Sequence, residues 1–336
     1  MIAPLASPTP DIDGKTILVT GGTGSFGNAF CEAVLARFKP NKLIVFSRDE
    51  LKQFEMQAKF REHDSIMRYF IGDVRDVARL EMAFRDVDYV VHAAALKQVP
   101  TAEYNPFECI QTNVHGAENV VTAAIRTAVQ RVIALSTDKA TSPINLYGAS
   151  KLASDKIFVA AKHLVGADDP LFAVVRYGNV IGSRGSVVPF FRNLVASGAT
   201  SLPITDPRMT RFWLSVHEGV EFVLSCLVQM RGGEVFVPKI PSMQITDLAR
   251  IIAPDLPTHV IGIRPGEKLH EVLFTSDDSR GTLNLPDRYI VQSMLFGEQR
   301  GYHPDESIVE EGYSYSSETN TDWLDEQGMA DLLSRV

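Results

Sequence analysis

Tyr147 and Lys151 are four residues apart in a segment with helical spacing, so both side chains face one side of a helix. A positive charge beside a phenol stabilises the phenolate and lowers the tyrosine pKa from about 10 toward neutrality. Such a phenol can act as a general base toward a hydroxyl group. Thr137 ends the preceding apolar run and would add a hydroxyl to the same site. The alternative is a surface tyrosine that lies over an exposed lysine.

A carboxyl and an amine follow Thr137 directly in the chain. Asp138 and Lys139 come at the carboxyl end of the predicted strand 131–137, where α/β sheets place their ligands. One group can take a proton from carbon while the other gives a proton to a departing hydroxyl. The spacing does not show which group performs which step. The alternative is an acidic residue at a helix N-terminus with an unrelated neighbour.

The glycines of segment 21–27 form a dinucleotide-binding pattern. Gly22, Gly24 and Gly27 give G-x-G-x-x-G, and Gly21 adds a G-x-x-G-x-x-G spacing. The pattern lies between a predicted strand and a predicted helix, which is the context that phosphate binding requires. Glycine lets the backbone approach a pyrophosphate closely, and the helix N-terminus supplies unpaired N–H groups. The alternative is a plain strand-to-helix turn. The expected cofactor contacts here are Gly21, Gly24, Ser25, Phe26 and Gly27.

The end of the second predicted strand indicates which cofactor is bound. Sites for NAD place an acidic residue about 20 residues beyond the glycines. Ser47 and Arg48 occupy that place here, and a hydroxyl and a guanidinium suit a 2′-phosphate, so NADP is favoured over NAD. Asp49 would face the ribose if the strand ended one residue later. Asp73 would reach the adenine edge or cap a turn. Further expected cofactor contacts are Val74, Ala93, Ala95, Lys97, Val180, Tyr147 and Lys151.

Alternating apolar and helical segments must position these residues. Nearly continuous apolar runs, typical of buried parallel strands, occupy 16–20, 42–47, 68–73, 88–94, 131–137 and 172–180. Helical spacing occupies 26–38, 49–62, 76–84, 105–127 and 147–164. The pattern predicts an α/β fold, a doubly wound parallel (Rossmann) sheet with a smaller C-terminal substrate lobe. The expected division is an NADP-binding domain at 11–180 with further elements interleaved from 213–240, a substrate-binding lobe mainly at 181–302, and an acidic tail at 303–336.

The composition limits the possible function classes. The 336 residues are 45% hydrophobic, which is enough for a packed core and excludes wholesale disorder. A net charge of −8 argues against a nucleic-acid partner. The segment 303–336 contains nine acidic side chains and one arginine, which is the whole net charge. The rest of the chain is therefore balanced, and a diphosphate would not meet a global negative field.

Cysteine, histidine and apolar patterns exclude other classes. The three cysteines are too few and too scattered for a disulfide framework or a zinc site. The eight histidines lack metal-ligand spacing, so no metal is expected. The chain does not begin with a signal-peptide pattern, and no apolar run approaches the roughly 20 residues of a membrane span. We expect a soluble cytoplasmic protein without a membrane partner.

The sequence STDKATSP at 136–143, followed by YGASK at 147–151, resembles the inverting UDP-N-acetylglucosamine 4,6-dehydratases. These lyases of the extended short-chain dehydrogenase/reductase family begin pseudaminic acid biosynthesis, which serves flagellin glycosylation. Membrane-bound relatives that make the retained product have an N-terminal membrane region and a methionine at the position of Tyr147. This sequence has neither, which favours the inverting type. The resemblance extends from Gly21 to about Leu324 and includes RYGNV at 176–180, GSRGSVVP at 182–189, RMTRFW at 208–213 and RPGEK at 264–268.

The resemblance implies a mechanism in which one tightly bound NADP is recycled in every turnover. Tyr147, activated by Lys151, helps to oxidise C4 of the sugar, and the hydride passes to NADP. Lys139 then removes the acidified C5 proton while Asp138 protonates the leaving C6 hydroxyl. The hydride returns to C6, and Lys139 reprotonates C5 from the opposite face. The implied product is a UDP-4-keto-6-deoxy sugar with inversion at C5.

The resemblance also implies how substrate and subunits are held. Two substrate phosphates need local cations, although each arginine could instead form a surface salt bridge. Glu267 would bond a ribose or start a helix. Helices 105–127 and 147–164 would pair subunits into a homo-oligomer, a dimer or a hexamer, but their apolar faces could equally pack on their own sheet. The tail would dock partly on the body. The expected substrate-binding residues are Lys97, Asn179, Arg184, Arg211, Arg264 and Glu267.

Two other functions fit part of the pattern. The first is an NADP-dependent nucleotide-sugar 4-epimerase or reductase on the same fold, which would not need Asp138 and Lys139. The second is a non-catalytic NADP-sensing regulatory protein, which would have no use for a phenolate at Tyr147. Because both residue pairs are intact, the sequence favours the dehydratase.

Overall fold

The computed structural model describes residues 5, 8–166, 170–183, 185–293, 301 and 306–334. Strands and helices alternate through the first half of the chain. A π-helical turn, Gln111–His115, joins two of these helices, and a 3-10 turn, Asp138–Ala140, follows the fifth strand. The elements are β1 (Thr16–Thr20), α1 (Ser25–Arg37), β2 (Lys42–Ser47), α2 (Glu50–Lys59), β3 (Met67–Ile71), α3 (Val77–Ala83), β4 (Tyr89–His92), α4 (Val99–Tyr104), α5 (Pro106–Ile110), α6 (Gly116–Arg126), β5 (Arg131–Thr137), α7 (Leu146–Ala161) and β6 (Leu171–Tyr177).

Shorter elements make up the second half, where prolines break the helical and strand patterns. They are β7 (Asn179–Val180), α8 (Val187–Ala196), β8 (Leu202–Ile204), β9 (Thr210–Leu214), α9 (Val216–Gln229), β10 (Glu234–Pro238), β11 (Ser242–Gln244), α10 (Ile245–Ile252), β12 (Thr258–Val260), β13 (Val272–Phe274), β14 (Thr282–Asn284), β15 (Arg288–Gln292), β16 (Ser307–Ile308), β17 (Tyr315–Ser316) and α11 (Glu326–Ser334).

A large twisted sheet organises the fold. In the described part of the chain its strand order is β16-β14-β15-β10-β6-β5-β4-β1-β2-β3. The strands from β3 to β10 are parallel, and β15, β14 and β16 add antiparallel to that edge. Both faces are covered, so strands such as β1 are buried at every residue. The predicted doubly wound α/β fold is confirmed, and its switch point lies between β1 and β4, where such sheets bind ligands.

Most predicted elements differ from the structure only by a few residues at their ends, but two differ in more than that. The sixth strand was expected to continue to residue 180, but it ends at Tyr177, and Asn179–Val180 pairs with β9 in a separate small sheet. The chain turns away at Gly178, where a side chain would lie 2.5 Å from Phe212 Cβ. The predicted helix 105–127 is interrupted by the π-helical turn, and α4 precedes it without having been predicted.

The second half forms a smaller apolar cluster beside the sheet. Val188, Trp213, Leu248 and Met329 are buried in it and bring together α8, β9, α10 and α11. The tail therefore docks on the body within the described residues 306–334, as predicted. The division into domains at residues 180 and 302 stays a prediction. Strands β14 and β15, within the predicted substrate lobe, and β16, within the predicted tail, belong to the large sheet. Among the described residues, no helix is both long and apolar enough to span a membrane.

Candidate active site

A cleft of about 780 Å³ lies at the carboxyl ends of the parallel strands, over the switch point. The loops that follow β1, β2, β3, β4, β5 and β6 all contribute to its walls. Every residue predicted to contact the cofactor lines this cleft: Gly21, Gly24, Ser25, Phe26, Gly27, Ser47, Arg48, Asp73, Val74, Ala93, Ala95, Lys97, Tyr147, Lys151 and Val180.

The glycine loop between β1 and α1 is built for a closely approaching group. A Cβ on Gly27 would lie 2.2 Å from Gly22 O, so only glycine permits this packing of loop and helix. The N-cap residue Gly24 offers no side chain to the first N–H groups of α1. Those groups and the helix dipole face the cleft, which is the environment that a pyrophosphate requires. The residues present therefore fit a dinucleotide.

The end of β2 brings two cations to the cleft, each beside a carboxylate. The half-exposed Arg48 side chain lies 3.6 Å from Asp73 Oδ2, and Lys52, which the sequence did not indicate, also lines the wall. Asp49 is the N-cap of α2: its carboxylate accepts a hydrogen bond from Lys52 N (3.0 Å) and pairs with the Lys52 ammonium. Asp49 therefore caps α2 and at the same time lines the cleft, so the alternative in which it faces the ribose stays open. A hydroxyl from Ser47 completes this corner.

Asp73 lines the cleft and also makes a turn. Its carboxylate accepts hydrogen bonds from Arg75 N (3.0 Å) and from the Arg75 guanidinium (2.9 and 2.7 Å). Partial burial acts to raise the pKa of Asp73, but the bonds from Arg75 outweigh it and hold that pKa below its usual value. The cap of α3 is Asp76 and not Asp73.

Asp138 and Lys139 lie on the 3-10 turn that follows β5. Asp138 is fully buried, and its Oδ1 accepts hydrogen bonds from Thr137 Oγ1 (2.8 Å) and Lys139 Nζ (3.0 Å). Its Oδ2 accepts none from the described residues. Burial disfavours the Lys139 ammonium, but the charges of Asp138 and Glu271 outweigh burial and raise the pKa of Lys139. The pair is therefore an ion pair next to the cleft.

Tyr147 and Lys151 lie in the first turns of α7, which Asn145 caps by accepting a hydrogen bond from Gly148 N (2.8 Å). The predicted lowering of the Tyr147 pKa by Lys151 is wrong for the protein without a ligand. Burial raises the pKa of Tyr147 to about 12, although Lys139 and a hydrogen bond with Thr137 act in the opposite direction. The Lys151 ammonium instead donates to the backbone carbonyl of Leu135 (2.7 Å).

Residues predicted to bind substrate fall into two groups. Lys97 and Asn179 line the cleft. Arg211, Arg264 and Glu267 lie outside the cleft walls and form an ion-pair chain, with Glu267 3.8 Å from Arg211 Nη2 and 3.5 Å from Arg264 Nε. The Arg211 guanidinium also donates to the carbonyls of residues 210, 268 and 269 at 2.7, 2.9 and 3.0 Å. Of the predicted residues, Arg184 lies outside the described part of the chain.

Comparison with known proteins identifies the family. Residues 17–293 match the model of a family described as polysaccharide biosynthesis protein. The UDP-N-acetylglucosamine 4,6-dehydratase (inverting) of Campylobacter jejuni subsp. jejuni serotype O:23/36 (strain 81-176) is 55% identical over 96% of this chain and 98% of its own. The chain belongs to the family of the inverting UDP-N-acetylglucosamine 4,6-dehydratases. The resemblance drawn from segments 136–143 and 147–151 is confirmed.

Other relatives of this dehydratase family member have different names. The X-ray structure of Pen from Bacillus thuringiensis superposes with a TM-score of 0.88 at 35% identity, covering 97% of this chain and 99% of that chain. A UDP-glucose 4-epimerase from Rickettsia canadensis (strain McKiel) is 44% identical over 82% of each chain. The fold is therefore shared among enzymes whose names describe different reactions, and the site must distinguish them.

Three supporting features of the dehydratase site were not predicted. Gly148 allows α7 to approach the Lys139 turn, because a Cβ there would lie 2.2 Å from Lys139 O. Arg176 and Asp155 form a buried ion pair (2.9 Å) that links β6 to α7 behind Tyr147. Glu271 lies 3.3 Å from Lys139 Nζ. The motifs quoted above contain Gly148 and Arg176, but neither Asp155 nor Glu271 has a local sequence signal, because each meets its partner only in the fold.

Proposed function

We propose that this protein converts UDP-N-acetylglucosamine to a UDP-4-keto-6-deoxy sugar with inversion at C5. One observation carries the proposal: the ion pair of buried Asp138 and partly buried Lys139 lies beside Tyr147 at the end of the cleft that fits a dinucleotide. Removal of water across C5 and C6 needs both a base for a carbon-bound proton and an acid for a hydroxyl. A residue pair of this kind next to an oxidising centre supplies both.

The Asp138–Lys139 ion pair already contains the protons that the reaction uses. Transfer of one proton along the 3.0 Å contact from Lys139 Nζ to Asp138 Oδ1 produces a neutral amine and a carboxylic acid. The amine removes the C5 proton, and the acid protonates the leaving C6 hydroxyl. Lys139 then returns a proton to C5 from the opposite face, which inverts the configuration there.

Tyr147 and Lys151 prepare the C4 position. The phenol of Tyr147 would first lose its own proton to solvent, with the Lys151 ammonium stabilising the phenolate. The phenolate then accepts the proton of the C4 hydroxyl, and Thr137 holds its oxygen by a hydrogen bond. Bound nicotinamide supplies the hydride acceptor for C4 and the hydride donor for C6. Oxidation at C4 acidifies the C5 proton, so the Tyr147 step must precede the Lys139 step. Lys151 would move from the Leu135 carbonyl toward the ribose or the phenolate when the cleft is filled.

We infer that the cofactor is NADP, tightly bound and recycled. The glycine loop fits the pyrophosphate, and Arg48, Lys52 and Ser47 surround the place where a 2′-phosphate would lie. Asp49, the acidic residue that could have selected NAD, is engaged by the N-terminus of α2. The positive corner therefore supports NADP.

We also propose positions for the substrate. Lys97 and Asn179 would hold the diphosphate and the sugar at the open side of the cleft. Arg211, Arg264, Glu267 and the Arg184 segment would bind the nucleotide. Binding would break the Arg264–Glu267 ion pair, which solvent can reach because the Arg264 side chain is 65% exposed.

Assembly and location complete the proposal. The apolar face of α6 is buried within the subunit, with Val120 and Ala124 inaccessible, so it does not by itself indicate pairing. Tyr104 and Phe107 are 88% and 83% exposed on the neighbouring α4 and α5, and they support a homo-oligomer, a dimer or a hexamer. We propose a cytoplasmic enzyme that supplies pseudaminic acid synthesis for flagellin glycosylation.

A 4-epimerase is the second candidate, since a relative of that name is 44% identical. The decisive test is incubation with UDP-N-acetylglucosamine followed by NMR and mass spectrometry. The dehydratase gives a 4-keto-6-deoxy product that has lost one water, whereas an epimerase gives a C4 epimer of unchanged mass. In the control variant Lys139→Ala, C4 oxidation continues but water loss stops. Unchanged substrate, or dehydration at the wild-type rate in Lys139→Ala, contradicts the proposal.

A further inference from the structure

Glu271 is a buried carboxylate among cations, just before β13. Its side chain is 2% exposed, and its Oε1 lies 3.3 Å from Lys139 Nζ and 3.8 Å from Arg211 Nε. Lys268 Nζ lies 3.8 Å from Oε2, which accepts no hydrogen bond from the described residues. A buried charge of this kind destabilises the fold unless its neighbours compensate it. Lys139, Arg211 and Lys268 supply this compensation, so Glu271 and Lys139 are electrostatically linked.

The acidic tail fixes the backbone of Glu271 on both sides. Ser317 N donates to Glu271 O (2.8 Å), and Glu271 N donates to Ser317 Oγ (3.0 Å). Ser317 is fully buried, and its hydroxyl also lies 2.8 Å from Thr210 Oγ1 on β9. The pairing of β17 with β13 anchors the same stretch of the tail. The position of this carboxylate is thus set by the last part of the chain.

We propose that Glu271 is a positioning residue for Lys139, holding its ammonium beside Asp138 and strengthening it as a base, with Ser317 of the tail keeping Glu271 in place. The meaning of this role for the C5 step rests on the proposed function. The contacts themselves, and the effect of Glu271 on the protonation of Lys139, do not depend on the proposed function.

The charges around Lys139 determine the expected effect. Asp138 on the same turn and Glu271 across from it are negative, Arg211 and Lys268 are positive, and Tyr147 of α7 is neutral when protonated. Lys139 becomes an ammonium when it accepts the C5 proton, and Glu271 stabilises that charge. Loss of one carboxylate within 4 Å lowers a lysine pKa by about one to three pH units. A weaker base also removes a carbon-bound proton more slowly.

The first experiment is an NMR titration of lysine labelled with ¹³C at Cε, in the full chain with its cofactor bound. Lys139→Arg assigns the signal. Glu271→Gln should lower the pKa of Lys139 by about one to three pH units. Glu318→Gln is the matched control, because Glu318 is 60% exposed and its carboxylate lies beside His270. An unchanged Lys139 pKa in Glu271→Gln, or an equal shift in Glu318→Gln, overturns the inference.

The second experiment follows deuterium exchange at C5 as a function of pH. In Glu271→Gln the alkaline rise of the exchange rate should move to lower pH and its plateau should fall, while C4 oxidation keeps its rate. Glu271→Asp should restore part of both effects. Ser317→Ala keeps the carboxylate and the bond from Ser317 N to Glu271 O, but it removes the hydroxyl that accepts from Glu271 N. This variant should move the profile less, in the same direction, and it replaces Glu271→Gln if that variant does not fold. An unmoved profile in both variants overturns the inference. If the titration shifts but the wild type forms no dehydrated product, the proposed function fails and the positioning role stands.

Discussion

Gly148→Ala tests how α7 positions the proton-transferring turn. The added Cβ would lie 2.2 Å from Lys139 O and 3.0 Å from Pro143 Cβ. An ordinary contact needs more than 3 Å, so the turn carrying Asp138 and Lys139 must move by about 1 Å. A displacement of about 1 Å at a catalytic group lowers the rate by about 100-fold. Overpacking of this kind also destabilises the fold by about 1–3 kcal/mol.

The assay compares dehydration, followed by product NMR, with C4 oxidation, followed by the absorbance of reduced cofactor. We expect dehydration to fall by about 100-fold and C4 oxidation to fall less, because Tyr147 itself stays on α7. Gly219→Ala on α9 is the matched control, since its Cβ would lie 3.6 Å from Leu214 Cδ1, an ordinary contact. Its activity should be unchanged and its stability should rise by about 0.5–1 kcal/mol. Dehydration at the wild-type rate in Gly148→Ala would refute the reasoning.

Three further predictions concern the cofactor, the buried ion pair and the phenol. Arg48→Ala should weaken NADP binding by about 10- to 150-fold, because one hydrogen bond to a charged group is lost, and should leave NAD binding unchanged. Equal weakening of NADP and NAD binding, measured by calorimetry, would contradict a 2′-phosphate site at Arg48. Asp155→Asn leaves Arg176 buried without its charged partner and should lower the free energy of unfolding by about 3–5 kcal/mol. Asp247→Asn, in an exposed ion pair, should change that free energy by at most about 1 kcal/mol. Equal effects of the two variants in urea denaturation would contradict this difference. With the cofactor removed, the Tyr147 phenol should stay protonated to at least about pH 10, because burial raises its pKa to about 12. The test is an ultraviolet titration of the wild type and Tyr147→Phe. More phenolate in the wild type below about pH 10 would contradict the raised pKa.

The parallel sheet was predictable because its signals are local. Segments such as 42–47 and 131–137 have four consecutive apolar residues between polar ends, and the structure has strands with the same bounds. The glycine loop and the polar strand ends were equally visible, since each lies within a few residues of a strand. The cleft accordingly brings together all the predicted cofactor contacts.

The features of the site that the sequence did not predict depend on contacts between distant segments of the chain. Glu271 reaches Lys139 only because β13 packs beside the 3-10 turn, and Ser317 reaches Glu271 only through the β13–β17 pairing. The sequence also could not show the partners of Arg211, which in the fold are backbone carbonyls and two glutamates. The expected lowering of the Tyr147 pKa failed for a similar reason: helical spacing indicated Lys151 as the nearby charge, but burial has the larger effect.

In the proposed reaction Lys139 exchanges the C5 proton during dehydration and returns it from the opposite face. NMR of the product formed from UDP-N-acetylglucosamine in deuterated water tests this step directly. We expect a 4-keto-6-deoxy sugar with one deuterium at C5, inverted configuration at that carbon, and no solvent deuterium at C6. A dehydrated product with hydrogen retained at C5, or with its original configuration, would contradict it.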